Sequence, residues 1–298
     1  MARKPRSLAD KVVVITGGGR GIGAATAMQL AQEGAVVAIG DLDETLAKET
    51  ASRVGGKAVG MALDVTDHAG FTTFLDQVER ELGPIDVLVN NAGIMPLARI
   101  EDESHATTHA QVAVNLLAVI HGTKEAVRRM KARGAGGHIV NISSAAGRVP
   151  VAGGATYTGT KHAVSGFSNA LHIEFTADRT PIDITAVHPA IVRTELSKGM
   201  KDNKGVHPVT PEDVAAAVVD ALKFPKPNVY VPKSMSLAMK TGALVPQRVG
   251  EWLNRVLGGE RAALDAIASP ARQEYENRVA QSAPGAEKQR SADKEPTA

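Results

Sequence analysis

The sequence has no cysteine, which excludes disulfides, thiolate nucleophiles and zinc sites built on thiolates. It also lacks a charge excess of either sign. The formal net charge is +2 over 298 residues, and with neither a basic run nor an RNA-reading aromatic motif, no nucleic-acid partner is expected. No apolar run approaches the ~20 residues needed to cross a bilayer. The basic start "MARKPRSLAD" leads only into the short apolar run "VVVI", too brief for the core of a signal peptide. These absences point to a soluble, cytoplasmic protein without a transmembrane segment, although an amphipathic surface helix would permit peripheral membrane contact.

What is present is a series of short, β-branched apolar runs separated by helical patterns: "KVVVITG", "AVVAIGD", "AVGMALDV", "IDVLVNNAG", "GHIVNISS", "IDITAVHP" and "NVYVP". Runs of this kind alternating with helices predict a seven-stranded parallel sheet covered on both faces, a doubly wound, Rossmann-like α/β fold. The pattern runs without a break to about residue 232, so residues 1–232 form the expected dinucleotide-binding domain. Residues 233–279 read as a helical appendage, in "SLAMKTGALVPQRVGEWLNRVLGG" and "SPARQEYENRV". Leu244, Val245, Val249, Trp252, Leu253 and Val256 fall near helical spacing there, a face expected to pack on the main domain or to meet a partner or membrane. Residues 280–298 are polar and read as disordered.

The first strand ends in "TGGGRGIG", Thr16 to Gly23, immediately before a helical pattern. Glycines in this context let the backbone turn and approach a pyrophosphate, whose charge the helix N-terminus meets. The spacing of Gly17, Gly21 and Gly23 is Gly-x-x-x-Gly-x-Gly, Ile22 blocking the other register. The second strand ends at Asp41, where an acid can bind both hydroxyls of an adenosine ribose and repel a 2′-phosphate. NAD is therefore the expected cofactor and NADP the less favoured one. Asp43 is the alternative ribose partner, and Arg20 could offer a 2′-phosphate its charge. Asp64 and Val65 at the third run, and Asn91, Ala92 and Gly93 within "NNAG" at the fourth, bring further polar or small residues to strand ends, where ligands bind in open sheets.

"YTGTK" sets Tyr157 and Lys161 four residues apart, on one face of a helix. A free phenol, with a pKa near ~10, is a poor acid or base at neutral pH, but a cation beside it favours the phenolate.

Taken in order, "TGGGRGIG", Asp64, "NNAG", Asn115 in "VAVNLLAV", Ser144 in "NISSAAG", "YTGTK" and "HPAIVRT" resemble the short-chain dehydrogenase/reductase family. The resemblance implies a catalytic tetrad of Asn115, Ser144, Tyr157 and Lys161, with Ser144 preferred to Ser143 by its distance from the tyrosine. It implies a dinucleotide held by Gly17, Arg20, Gly21, Ile22, Gly23, Asp41, Asp64, Val65, Asn91, Ala92, Gly93, Tyr157, Lys161, Pro189, Val192 and Thr194. In the chemistry so implied, Tyr157 exchanges a proton with a secondary alcohol or ketone and Lys161 lowers its pKa and binds the nicotinamide ribose. Ser144 bonds the substrate oxygen, and Asn115 holds a relay water. No metal is required. Ala190 departs from the family's usual glycine. A homodimer or homotetramer packed through the helices bearing Asn115 and Tyr157 is also implied.

Ile94 to Pro96, Val149 to Val151 and Leu196 to Met200 are candidate substrate walls. Their apolar character suggests a lipophilic alcohol such as a steroid, a retinoid or a long-chain alcohol. "HATTH" sets His105 and His109 at a zinc-compatible spacing without a clear third ligand, and reads as a polar helix start. The competing functions are an NADPH-dependent ketoacyl reductase, a dinucleotide sensor without turnover, and an adaptor acting through residues 233–279.

Overall fold

The computed structural model describes residues 4–200, 209–236 and 259–282. All seven apolar runs form strands: β1 (Val12–Thr16), β2 (Val36–Asp41), β3 (Val59–Ala62), β4 (Ile85–Asn90), β5 (Gly137–Ile142), β6 (Ile182–Pro189) and β7 (Asn228–Val231). Among the described residues they make one sheet in the order β3-β2-β1-β4-β5-β6-β7, with every neighbouring pair parallel. The intervening helices are α1 (Gly21–Gln32), α2 (Glu44–Val54), α3 (His68–Leu82), α4 (His105–Val112), α5 (Ala118–Ala132), α6 (Ala155–Ala177) and α7 (Pro211–Lys223). Two further helices, α8 (Gly259–Ile267) and α9 (Pro270–Ser282), follow the sheet.

The strands read as continuous apolar runs because both faces of the sheet are covered. Along β1, Val13 and Ile15 join the core shared with α1 and α7, through Leu30, Val214, Val218 and Leu222. Val12 and Val14 face the other way, toward Phe71, Phe74 and Leu75 of α3, Met130 of α5 and Phe175 of α6. Helix starts follow local capping chemistry. The carboxylate of Asp43 accepts from Leu46 N at the start of α2, that of Asp67 from Ala69 N at α3, and the hydroxyl of Ser104 from Thr107 N at α4.

The chain order reverses between β1 and β4, and loops leaving the carboxyl ends of these two strands diverge to opposite faces. Such a switch point is where an open α/β sheet forms a crevice. Over that edge a third, smaller cluster joins Met95, Leu97, Ala146 and Tyr157 to Ala263 and Ala266 of α8. The predicted stretch carrying Leu244 to Val256 lies outside the described residues, as does most of the predicted tail. "SPARQEYENRV" forms most of α9. Among the described residues no helix is long and apolar enough to cross a membrane.

Candidate active site

A cavity of about 1010 Å³ opens at the switch point and is lined from β1, β2, β4, β5, α6, the loop after β6 and α9. Its first wall is the glycine loop. Gly17 has φ 61°, and a Cβ there would stand 2.8 Å from Ala92 Cα. A Cβ on Gly23 would stand 2.4 Å from Gly17 O, so α1 packs against the loop with only hydrogen between them. Asn91 ties this loop to the end of β4: its Nδ2 donates to Thr16 O at 2.9 Å and Gly17 O at 2.8 Å, while Thr16 Oγ1 accepts from Asn91 N and Ala92 N. Helix α1 has no side-chain cap and no acid in its first turn, so its leading amides remain open to an anion.

At the end of β2, Asp41 is buried, with Oδ2 accepting from Gly19 N at 2.8 Å and Oδ1 from Asp43 N at 3.1 Å. Asp43, the alternative ribose partner, lines the same cavity, with Oδ1 accepting from Leu46 N at the start of α2. Arg20 differs from the expectation that it is available to a 2′-phosphate. Its guanidinium pairs with Glu195 Oε2 at 2.8 Å, and Arg278 of α9 meets the same oxygen at 2.8 Å. The two guanidinium groups hold the Glu195 carboxyl below its usual pKa against the opposing effect of burial, which is the largest single influence on it. Asp64 lies two residues beyond β3, where its Oδ1 accepts from Thr66 N at 2.8 Å and Thr66 Oγ1 at 2.7 Å. Val65, Pro189, Val192 and Thr194 also line the cavity.

The four residues predicted for catalysis come from three elements. Asn115 sits in a π-helical turn, Ala113–Leu117, between α4 and α5. It is fully buried, with Nδ2 donating to Ile94 O and Oδ1 accepting from Ile94 N, both at 2.8 Å. Ser144 follows β5 and lines the cavity. Ser143 also borders the cavity, but its hydroxyl is used within the core, donating to Lys161 O at 3.0 Å and meeting Ser165 Oγ at 3.0 Å. Tyr157 and Lys161 project from successive turns of α6, with Lys161 Nζ 5.7 Å from the Tyr157 ring centroid.

Lys161 is buried, and its Nζ donates to Ile142 O at 3.0 Å. Burial lowers its pKa from 10.5 to about 8. The Tyr157 phenol departs from the expectation of a lowered pKa. Burial pushes it up, and a hydrogen bond with Ser144 opposes that shift. Desolvation disfavours the charged form of both groups and is the largest influence on each.

Of the candidate substrate walls, Ile94, Met95, Val151, Leu196, Ser197 and Met200 line the cavity. Ala190 does too, donating its N–H to Val231 O at 2.8 Å. Among the described residues positive φ angles outside glycine fall only at Asp10 and Arg179, so Ala190 sits where glycine would usually be without backbone strain. His188 is buried behind Ser144 against Asn228 and Tyr230. His105 and His109 occupy α4, and among the described residues no group of three or more His, Asp or Glu could hold a metal. Sequence reasoning missed Tyr275, Arg278 and Val279 of α9, which close the cavity's outer side. A lone tyrosine and arginine on a polar helix carry no local signal of such a position.

These residues fit a nicotinamide dinucleotide. An ammonium has three donors, and Lys161 uses one on Ile142 O, leaving two for a ligand's hydroxyls. Gly93 borders Lys161 and Asn115, where a Cβ would stand 3.3 Å from Asn115 Oδ1 and 3.6 Å from Nζ. The uncapped α1 suits a pyrophosphate, and the buried Asp41 carboxylate suits a ribose.

A sequence profile of the family described as short chain dehydrogenase matches residues 11–205. The chain is 34% identical over 247 residues to a probable oxidoreductase EphD of Mycobacterium tuberculosis, covering 75% of this chain and 41% of that protein. It thus spans less than half the length of that relative. It is 42% identical over 193 residues to 2,5-dichloro-2,5-cyclohexadiene-1,4-diol dehydrogenase LinX of Sphingobium indicum, covering 64% of this chain and 76% of the relative. A solved short chain dehydrogenase/reductase from Burkholderia phymatum, in complex with NAD, superposes with a TM-score of 0.73 at 22% identity over 79% of this chain and 93% of that one. This last likeness establishes the fold.

Proposed function

The chain belongs to the short chain dehydrogenase family, and from that premise we propose that it is an NAD-dependent oxidoreductase acting on a lipophilic secondary alcohol or its ketone. The observation that carries the reading is the meeting of Tyr157, Ser144 and a buried Lys161 without a carboxylate partner at one wall of the cavity.

When bound, the nicotinamide supplies the acceptor for the hydride that leaves the alcohol carbon. Tyr157 takes the hydroxyl proton at its phenolic oxygen in oxidation and returns it in reduction. Burial favours the protonated phenol, the form that donates in reduction. In oxidation the Lys161 cation would act against that burial, leaving the single Ser144 proton for the substrate. Ser144 donates to the substrate oxygen as negative charge develops on it. Lys161 holds the nicotinamide ribose with the two donors not spent on Ile142. The Asn115 side chain is committed to Ile94, so a relay water would have to be held by the Asn115 backbone. The glycine loop would hold the pyrophosphate, and Asp41 would hold the adenosine ribose. An NAD-bound protein of the same fold supports this choice of cofactor.

The substrate region is walled by Met95, Val151, Leu196, Met200 and Val279, which favours an apolar body. A relative at 42% identity is a dehydrogenase of a ring diol, and ring alcohols fit the same walls. The protein is expected to work in the cytoplasm as a homodimer or homotetramer. Exposed Leu117 beside Asn115 and exposed Ile173 on α6 supply apolar surface on the elements expected to pair.

The test is reduction of NAD, followed by absorbance of the reduced nicotinamide, across secondary alcohols graded in size and apolarity. Rates that rise with apolar size support the reading. Equal turnover of small charged hydroxy acids and apolar alcohols would remove the lipophilic assignment, and no turnover of any alcohol would remove the enzyme assignment. For the cofactor, Asp41→Asn keeps an oxygen for Gly19 N–H and removes the charge that repels a 2′-phosphate. The preference for NAD over NADP, read as a ratio of kcat/KM values, is expected to fall by roughly tenfold or more, since a unit charge near 4 Å is worth ~1–4 kcal/mol at a solvated site. An unchanged ratio would move the ribose contact away from Asp41.

A further inference from the structure

Helix α9 reaches the cavity from the far end of the described chain, yet it is anchored there by buried polar contacts. Arg272 is 1% exposed. Its guanidinium donates to Leu196 O at 2.9 Å, Lys198 O at 3.2 Å and Met95 O, and it pairs with Glu276 Oε1 at 2.7 Å. Glu276 Oε1 also accepts from Leu97 N at 3.1 Å. One arginine thus fastens α9 to the loop after β4 and the loop after β6 together. Three residues along, the Tyr275 ring lies beneath the same guanidinium, 5.1 Å from its carbon to the ring centroid.

The Tyr275 hydroxyl accepts from Met95 N at 2.7 Å. A phenol also carries one proton to donate, and among the described residues no oxygen accepts it. Tyr275 lines the same cavity as Tyr157, together with the apolar Met95, Val151, Leu196 and Val279 and the polar Ser197 and Arg278. Burial pushes its pKa up from the usual value, so the group is a donor and not an anion at neutral pH. A donor left without an acceptor in an apolar pocket costs free energy that a ligand oxygen recovers.

We propose that Tyr275 is a substrate-recognising residue whose hydroxyl donates to a second oxygen on the substrate, so that the site selects ring alcohols bearing a second oxygen over simple ring alcohols. The proposal rests on the dehydrogenase reading above and adds a substrate class to it. Met95 N–H orients the phenolic oxygen and Arg272 holds the ring, so the donor is fixed before substrate arrives. A monoalcohol leaves the proton unpaired. A diol or hydroxy ketone of suitable span satisfies it at a donor already held in place by Met95 and Arg272.

The experiment compares the full-length protein with Tyr275→Phe, which keeps the ring under Arg272, using cyclohexanol and the 1,3- and 1,4-cyclohexanediols. Both kcat/KM with NAD and dissociation constants by calorimetry in the presence of NAD are measured. Each is expressed as a diol-to-cyclohexanol ratio, so that any general loosening of α9 cancels. In the wild-type protein at least one diol is expected to be favoured by roughly 10-fold to 100-fold, and Tyr275→Phe is expected to bring that ratio close to one. A ratio unchanged by the substitution, or no preference for either diol in wild type, overturns the proposal. If the wild-type protein turns over none of the three, the dehydrogenase reading fails, and the binding ratios still decide the role of Tyr275.

Discussion

Replacement of Tyr157 by phenylalanine is expected to lower kcat by on the order of 10²–10⁴-fold while leaving NAD affinity nearly unchanged. The phenol is buried, and burial shifts it toward its protonated form against the opposing influence of the Ser144 hydroxyl. The ring itself fills a place in the cluster with Met95, Leu97 and Ala146. Phenylalanine preserves that packing and removes only the oxygen proposed to exchange the proton. Single-turnover rates and NAD titration on the same preparation check both halves of the expectation. Rates near wild type would take Tyr157 out of the proposed mechanism, and parallel loss of NAD affinity would make its role one of binding.

Lys161→Met is expected to abolish turnover and yet stabilise the folded protein at pH 7. Lys161 is buried without a carboxylate partner, and its pKa falls from 10.5 to about 8. A depressed lysine pKa means that the unfolded chain holds more protons between those values, so wild-type stability gains from this group as pH rises from about 8 to 10.5. At pH 7 the full cost of keeping the ammonium in the fold is present, on the order of 3 kcal/mol for a shift of this size. Loss of the hydrogen bond to Ile142 O offsets about 1 kcal/mol of it. The variant is therefore expected to unfold in urea with about 2 kcal/mol more stability at pH 7, and the gap should close by pH 10.5. A variant less stable than wild type at pH 7 would show that Lys161 carries structural weight beyond its proposed place beside the ribose.

Much of this architecture is written locally. The seven strands are legible because parallel strands covered on both faces become uninterrupted apolar runs such as Val12 to Ile15. The glycine loop is legible because a turn with positive φ at Gly17 and a contact as close as that at Gly23 admit no side chain. Features that depend on distant partners were not. The pairing of Arg20 with Glu195 and Arg278 joins three segments far apart in sequence. The anchoring of Arg272 is to backbone carbonyls, which any sequence offers. The Tyr-Lys spacing gave the proximity of Tyr157 and Lys161, whereas the direction of the phenol's pKa is set by burial that spacing does not encode. The π-helical turn that carries Asn115 shows no marker in "VAVNLLAV".

The anchoring of α9 also bears on the order in which the protein is made. β7 ends at Val231, so the sheet and its glycine loop can assemble before α9 has left the ribosome. Arg272 must then find the Met95 carbonyl 177 positions earlier in the chain. Until it does, Met95, Leu97 and Tyr157 face water, and the nascent fold presents an open apolar mouth to whatever chaperone or membrane is near. On the proposed reading, cofactor-binding competence would therefore precede substrate selectivity during synthesis, the last described helix completing the substrate side of the site.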